Sequence, residues 1–446
     1  MFLNLVRRFV GSKGLAPKSS HATSRACQKL IADCHELMSE RGEVSGARIA
    51  TRILAAYQAL EPQERGQFFD LLVQDFSPDP EEVGRAGDAY RSDPSPETLA
   101  RLQHMVEPPR QELFRRLNIA PGGTRVLVDM RADLLASENR KPGHAQIAAD
   151  LAHLLTSWFN RGFLVLQRID WQTSASILEK LIQYEAVHQI HGWQDLRRRL
   201  APDRRCYAFF HPALQEEPIV FVEAALTKGM TDNVQLLLDP DAPVGDLSAA
   251  DCAMFYSITN CQKGLRGVPF GSFLIKQVVE DLGREFPKLR RFATLSPIPG
   301  FRAWLEQNAG VLNAEPLVAR LKDPDWDKDA EIKARLTALC ARYLLREKNH
   351  KEPLDSVARF HLRNGARLER INWMGDASAK GLEQSAGMTV NYVYRLPDLE
   401  ENHELYVRES RVAATLEIEK LAASTDVPLN RRSTPEQQTP VPATQR

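Results

Sequence analysis

Ser257-Ile258-Thr259-Asn260-Cys261-Gln262-Lys263-Gly264-Leu265-Arg266-Gly267-Val268-Pro269-Phe270-Gly271-Ser272, continued to Leu295-Ser296-Pro297-Ile298-Pro299-Gly300-Phe301, is the stretch that decides how this chain is read. Its first residues complete a strand that opens at Met254. A glycine-rich turn follows, then helical periodicity from Ser272 to about Phe286. A strand over Leu289 to Leu295 leads into a turn stiffened by two prolines. Strand, turn, helix and strand in this order describe a crossover unit, the connection that parallel strands require. This unit is expected to build the active site.

Two of its features carry chemistry. A helix start leaves backbone N–H groups unpaired and carries partial positive charge. Gly264, Gly267 and Gly271 let the backbone approach an anion closely, and Lys263 and Arg266 add charge. A pyrophosphate would fit. A tight turn packing a helix on a sheet would use the same glycines, and spacing alone leaves both readings open. The second feature is Ser296. The following proline pushes it to an extended backbone, so its hydroxyl is held before any ligand arrives. A serine capping a turn is the plainer reading. The Gly-x-Ser-x-Gly elbow of common hydrolases is absent around it.

Upstream of this unit, strands are expected over Gly162–Ile169, Asp203–Phe210, Pro218–Leu226 and Met254–Ile258. The short turn at Gln215-Glu216-Glu217 suggests that the middle two pair as a hairpin. Thr173 or Ser174 suits the cap of a helix running to Glu185, and residues 227–250 read as a polar excursion. Further upstream, apolar stripes at helical spacing recur from Thr23 to Phe159. Examples are Leu30, Ile31, Cys34 and Leu37; Ile49, Ile53, Leu54 and Tyr57; and Phe68, Phe69 and Leu72. They describe a helical bundle whose stripes are core and whose sequence carries no identifiable chemistry.

Downstream, Trp304 starts a helix, and the charged span to Leu345 is read as helical. His361 falls between a strand expected from Pro353 and the turn at Asn364-Gly365. Histidine suits proton movement near neutral pH, although a lone histidine more often serves structure. Arg367–Trp373 and Met388–Tyr394 read as strands, and Asp398 to Ala422 as one helix. The chain after Ser424 is rich in proline, threonine and glutamine and is expected to be disordered.

Composition bounds the rest. With 446 residues, two domains are expected. Lysine plus arginine and aspartate plus glutamate number 58 each, which argues against bulk binding to nucleic acid or an anionic membrane. No apolar run is long enough to span a bilayer. Six dispersed cysteines without a Cys-x-x-Cys pair fit a reducing compartment. His188 and His191 have no third ligand within reach, so no metal is expected. The first 32 residues carry six basic groups and no acid. That suits an organellar transit peptide, but a ragged bacterial N-terminus reads as well. A cytoplasmic location is expected, with the mitochondrial matrix as the alternative.

The quoted stretch resembles the malonyl-CoA decarboxylase family. So do Arg204-Arg205-Cys206-Tyr207, Val357-Ala358-Arg359-Phe360-His361-Leu362, Arg370-Ile371-Asn372-Trp373 and Asn391-Tyr392-Val393-Tyr394. The resemblance is dense from Trp158 to Tyr394. It implies two domains, an all-α N-terminal domain and an α+β catalytic domain resembling the GNAT acetyltransferase fold. The expected boundaries are a flexible N-terminus at 1–20, helices at 21–156, the catalytic domain at 157–423 and a disordered tail at 424–446. It also implies decarboxylation of malonyl-CoA with no cofactor, coenzyme A being part of the substrate. A CoA-dependent acyltransferase is the alternative on the same fold.

By this resemblance Ser296 and His361 are catalytic. Arg266, Gly267, Val268, Pro269, Phe270, Gly271 and Ser272 bind coenzyme A. Asn391 and Tyr394 belong to a polar cluster nearby. The superfamily places Arg or Gln, then x-x-Gly-x-Gly/Ala, in this loop. Pro269 stands at the middle glycine and supplies no N–H. A homo-oligomer formed through the helical domain is expected.

Overall fold

The structure is a computed structural model and describes residues 23–136, 141–268 and 274–425. The expected flexible N-terminus, residues 269–272 of the glycine-rich turn and the tail from residue 426 lie outside them. The chain forms two compact units, Met1–Ala224 with Ser257–Glu285, and Ala225–Tyr256 with Phe286–Arg446.

The first unit opens with eight helices: α1 Arg25–Met38, α2 Glu40–Gln58, α3 Pro62–Asp75, α4 Pro80–Ser92, α5 Pro96–Val106, α6 Pro109–Asn118, α7 Gly123–Ala136 and α8 Pro142–Trp158. Five of them begin on a proline, where the missing N–H costs nothing because that group has no helical partner. Ser24, Asp79 and Ser95 cap α1, α4 and α5 with their side chains. The stripes read from sequence are the core: Leu30, Cys34, Ile53, Tyr57, Phe68, Phe69 and Leu72 are all buried. Helix α5 differs, since none of its residues is buried.

The same unit continues with β1 Val165–Ile169, α9 Ala175–Tyr184, α10 Trp193–Arg199 and β2 Arg204–Phe210. The first seven residues of β3 Pro218–Thr227 and the end of β4 Cys252–Asn260 also belong to it. A 3-10 turn at Lys263–Leu265 and, further on, α12 Leu274–Glu285 complete the unit. Strands β1 and β2 pair antiparallel with Ile169 opposite Cys206, and β3 neighbours β2 as the hairpin expectation required. Ile169, Leu178, Leu181, Leu196, Ala208 and Phe221 pack between them.

The second unit holds α11 Gln235–Leu238, β5 Arg291–Thr294, β6 Ser296–Pro297, α13 Phe301–Gln307, α14 Glu315–Arg320, α15 Ala330–Arg346, β7 Lys348–Asn349, β8 Glu352–Pro353, α16 Ser356–Arg363, β9 Arg367–Asn372, α17 Ala379–Ser385, β10 Thr389–Val393, α18 Leu399–Glu409 and α19 Leu416–Ala423. Residues 252–255 of β4 run parallel to β5, the pairing that the crossover order required. Strand β10 is antiparallel to β5, β6 and β9.

Three expectations change here. The strand expected before His361 is α16, started by Asp355, whose Oδ1 accepts from the Val357 and Ala358 amides. The single helix expected from Asp398 splits into α18 and α19. Between them the chain leaves the helix to exchange backbone hydrogen bonds with Leu368 of β9, through Ala413 and Thr415. The polar excursion contains α11, and Val234 and Leu237 join a core with Met254, Ala293, Leu295 and Val393.

Candidate active site

Ser296 stands at the start of β6, opposite Val390 of β10. Strand alternation puts Tyr392, and Tyr394 one residue past the strand end, on the same face as Ser296. Thr294 lies two residues before Ser296 and shares that face. Helix α16 brings His361 to it. Ala358, His361 and Leu362 form the buried side of that helix at i, i+3, i+4 spacing. Asn364-Gly365 ends the helix, with Gly365 at φ +77. A Cβ there would fall 2.1 Å from the Leu399 carbonyl oxygen, so only glycine fits.

The side chains form one chain of hydrogen bonds. The Ser296 hydroxyl donates to Thr294 Oγ1 at 2.8 Å and lies 3.0 Å from His361 Nε2. His361 Nδ1 is 2.6 Å from the Tyr394 hydroxyl. Because the serine proton points to Thr294, Ser296 Oγ accepts from Nε2–H. Nδ1 is then the unprotonated nitrogen and accepts from Tyr394 O–H. The Tyr392 amide donates to Thr294 Oγ1 and fixes the far end. The imidazole stacks on the Tyr392 ring at 4.6 Å between centroids.

Electrostatics follow from burial. Ser296, His361 and Tyr394 are 5%, 3% and 2% exposed. Burial holds His361 down to a pKa of about 3, so the imidazole is neutral. Burial also pushes the Tyr394 phenol well above its ordinary value, so it keeps its proton.

Asp355, at the other end of α16, is buried too, and burial raises its carboxyl to about 6. Its Oδ2 makes no hydrogen bond of good geometry. The Gly300 amide and the Tyr343 hydroxyl lie beside this carboxylate.

The expected site residues divide. Ser296, His361 and Tyr394 come together. Asn391 sits on the opposite face of β10, where its Nδ2 donates to the Thr294 and Thr231 carbonyls and its Oδ1 accepts from Arg370. It braces the strand that carries Thr294 and touches neither Ser296 nor His361. In the other unit, Arg266 and Gly267 are exposed at the glycine-rich turn and Val268 is buried. Pro269, Phe270, Gly271 and Ser272 lie outside the described residues.

Sequence reasoning missed Thr294, although its i, i+2 relation to Ser296 in a strand is a readable signal. It also missed Asp355, whose place before Ser356 is an N-cap signal. Among the described residues no group of three or more metal-ligating side chains occurs. No described helix is long and apolar enough to cross a membrane.

Comparison with known proteins adds a family. A model of the malonyl-CoA decarboxylase C-terminal domain matches residues 162–434, and one of the malonyl-CoA decarboxylase N-terminal domain matches 76–159. The mitochondrial malonyl-CoA decarboxylase of Rattus norvegicus is 35% identical over 409 residues, 81% of this chain and 82% of its own length. That of Mus musculus is 37% identical over 361 residues, covering 72% and 73%. The crystal structure of malonyl-CoA decarboxylase from Rhodopseudomonas palustris has a TM-score of 0.84 at 48% identity, covering 89% of this chain and all of its own. The one from Agrobacterium vitis has a TM-score of 0.82 at 47% identity, covering 88% and 99%.

Proposed function

The chain belongs to the malonyl-CoA decarboxylase family, and on that premise we propose how its residues divide the work of turning malonyl-CoA into acetyl-CoA and carbon dioxide. Ser296 and His361 act at the malonyl end. Arg266 to Ser272 take the coenzyme A phosphates, with one donor fewer at Pro269 than the superfamily pattern.

The bond between the α carbon and the carboxylate breaks, and its electron pair stays on the α carbon. The thioester carbonyl delocalises that pair as an enolate, so the chemistry calls for no metal, biotin or pyridoxal. Ser296 O–H exchanges Thr294 for a substrate oxygen and holds the breaking bond in line with the carbonyl π system.

The neutral, buried state of His361 supports a role as proton donor. A malonyl carboxylate beside the imidazole favours its protonated form. When carbon dioxide leaves as a neutral molecule, the negative charge passes to the enolate, and proton transfer from the imidazolium discharges both partners of this buried pair. Nε2–H then passes to the α carbon and leaves the neutral ring. The proton balance closes with one proton taken up as substrate binds. Tyr394 holds Nδ1 and keeps the ring oriented.

The observation that carries this reading is the 3.0 Å contact between Ser296 Oγ and His361 Nε2, at an imidazole whose protonated form is disfavoured by burial. Purified protein incubated with malonyl-CoA, with and without a chelator, tests it. Acetyl-CoA should form at the same rate in both, with no amine acceptor present, whereas an acyltransferase would need one. Ser296→Ala and His361→Asn should keep affinity and lose rate. Full decarboxylation by both variants would refute the assignment.

Helix α5 leaves Leu99 and Val106 exposed at 38% and 47%, which supports self-association through the helical region. A cytoplasmic location is our reading of the compartment, with the mitochondrial matrix as the alternative, the rat and mouse relatives being named mitochondrial. Fractionation of the source cells tests the location.

A further inference from the structure

Helix α7 meets the glycine-rich turn backbone to backbone. A Cβ on Gly264 would lie 1.8 Å from the Val128 carbonyl oxygen, so no side chain fits there. One helical turn on, Arg131 reaches the same turn. Its Nε donates to the Ala148 carbonyl at 3.1 Å, and its Nη1 donates to the carbonyls of Gly264 at 2.5 Å and Arg266 at 2.9 Å. Arg131 is 7% exposed. Among the described residues its hydrogen bonds run to backbone carbonyls, and burial is the influence on its charge; a guanidinium keeps that charge even when buried. All the partners that hold it are neutral carbonyls.

The geometry has a direct effect on the turn. A trans peptide points its C=O and the next N–H in opposite directions. With the Arg266 carbonyl drawn inward to Arg131, the Gly267 N–H faces outward at an exposed residue with φ +79. We propose that Arg131, supplied by the N-terminal helices, is a positioning residue for the coenzyme A phosphates. It pins the turn, aims the Gly267 amide outward and leaves a buried positive charge behind the anion. The helical region then shares in substrate binding. This inference rests on the reading of Arg266 and Gly267 as residues that take the coenzyme A phosphates.

The test uses the full chain and two substrates, malonyl-CoA and malonyl-N-acetylcysteamine, which has the thioester but no phosphate. Arg131→Ala should raise KM for malonyl-CoA about tenfold and leave kcat within about twofold. Its kcat/KM for the truncated thioester should be unchanged. A wild-type KM for malonyl-CoA overturns the proposal, and so does an equal loss on both substrates, which marks a purely structural role. Arg131→Lys keeps the charge but not the planar fork, and should raise KM about threefold. If Arg131→Ala does not fold, a wild-type KM in Arg131→Lys overturns the proposal instead. Arg266→Ala separates the two layers. If it raises KM and Arg131→Ala does not, the role of Arg131 fails alone. If neither raises KM, the phosphate reading fails and takes this inference with it.

Discussion

Helix α16 carries two buried titratable groups whose effects on stability have opposite sign. Burial raises Asp355 from 3.8 to about 6. Between those pH values the folded state binds more protons than the unfolded one. Stability from Asp355 is therefore full below pH 3.8 and is lost as pH rises through about 6, by about 3 kcal/mol. Burial lowers His361 from 6.5 to about 3, so there the unfolded state binds more protons. Stability from His361 is full above pH 6.5 and is lost as pH falls toward 3, by about 5 kcal/mol. Between pH 4 and 6 the two slopes nearly cancel in the wild type. Removing either group exposes the other.

Asp355→Asn keeps an N-cap oxygen but cannot ionise. Its thermal midpoint should fall, relative to wild type, as pH drops from 6.5 to 4.5. His361→Gln should tilt the opposite way, losing stability as pH rises over that range. Each tilt should reach on the order of 5 °C. Scanning calorimetry or a dye-based melt of the three proteins at four pH values reads it. Parallel curves, with midpoints shifted by one amount at every pH, would refute the reading that burial dominates the protonation of both groups.

Other outcomes follow from single contacts. Tyr394→Phe leaves His361 Nδ1 without its donor and should lower kcat by about 10- to 100-fold with KM little changed, as read by steady-state kinetics. A non-reactive malonyl-CoA analogue should draw close to one proton from solution near pH 7 when it binds wild type, and none when it binds His361→Asn. Calorimetric titration in buffers of different ionisation enthalpy measures this. A Cβ at Gly300 would lie 2.4 Å from the Tyr343 hydroxyl, so Gly300→Ala should cost about 1–3 kcal/mol in denaturant unfolding. If α5 joins subunits, Leu99→Asp with Val106→Asp should lower the mass seen by light scattering while kcat persists.

Much of this was legible where local signals agree with the tertiary outcome. The stripes of α1 to α3 became core because their 3.6-residue period matched the face they bury. Strand order around the quoted stretch followed from punctuation by Gly and Pro. Helix α16 was lost because it is only eight residues long and its apolar positions look equally like a strand. The split of α18 from α19 was hidden because the partner of Ala413 and Thr415 is Leu368, on a strand distant in sequence, with no local trace. Of the site, the Ser296 to His361 contact spans 65 residues and entered through family resemblance. Asn391 entered the same way, and strand alternation in the structure placed it on the far face. Arg131 carried no signal, since its acceptors are carbonyls, which every residue possesses.

Arg131 also sets an order of events during synthesis. The Ala148 carbonyl emerges 17 residues after it, so one bond can form while the helical region folds. The Gly264 carbonyl emerges 133 residues after Arg131. At about 5–20 residues per second, the ribosome needs on the order of ten seconds to deliver it. Throughout that interval the nascent helices must keep a charged group hydrated on what will become an interior surface. The helical bundle therefore leaves the ribosome with one wall unfinished, and the glycine turn is what closes it.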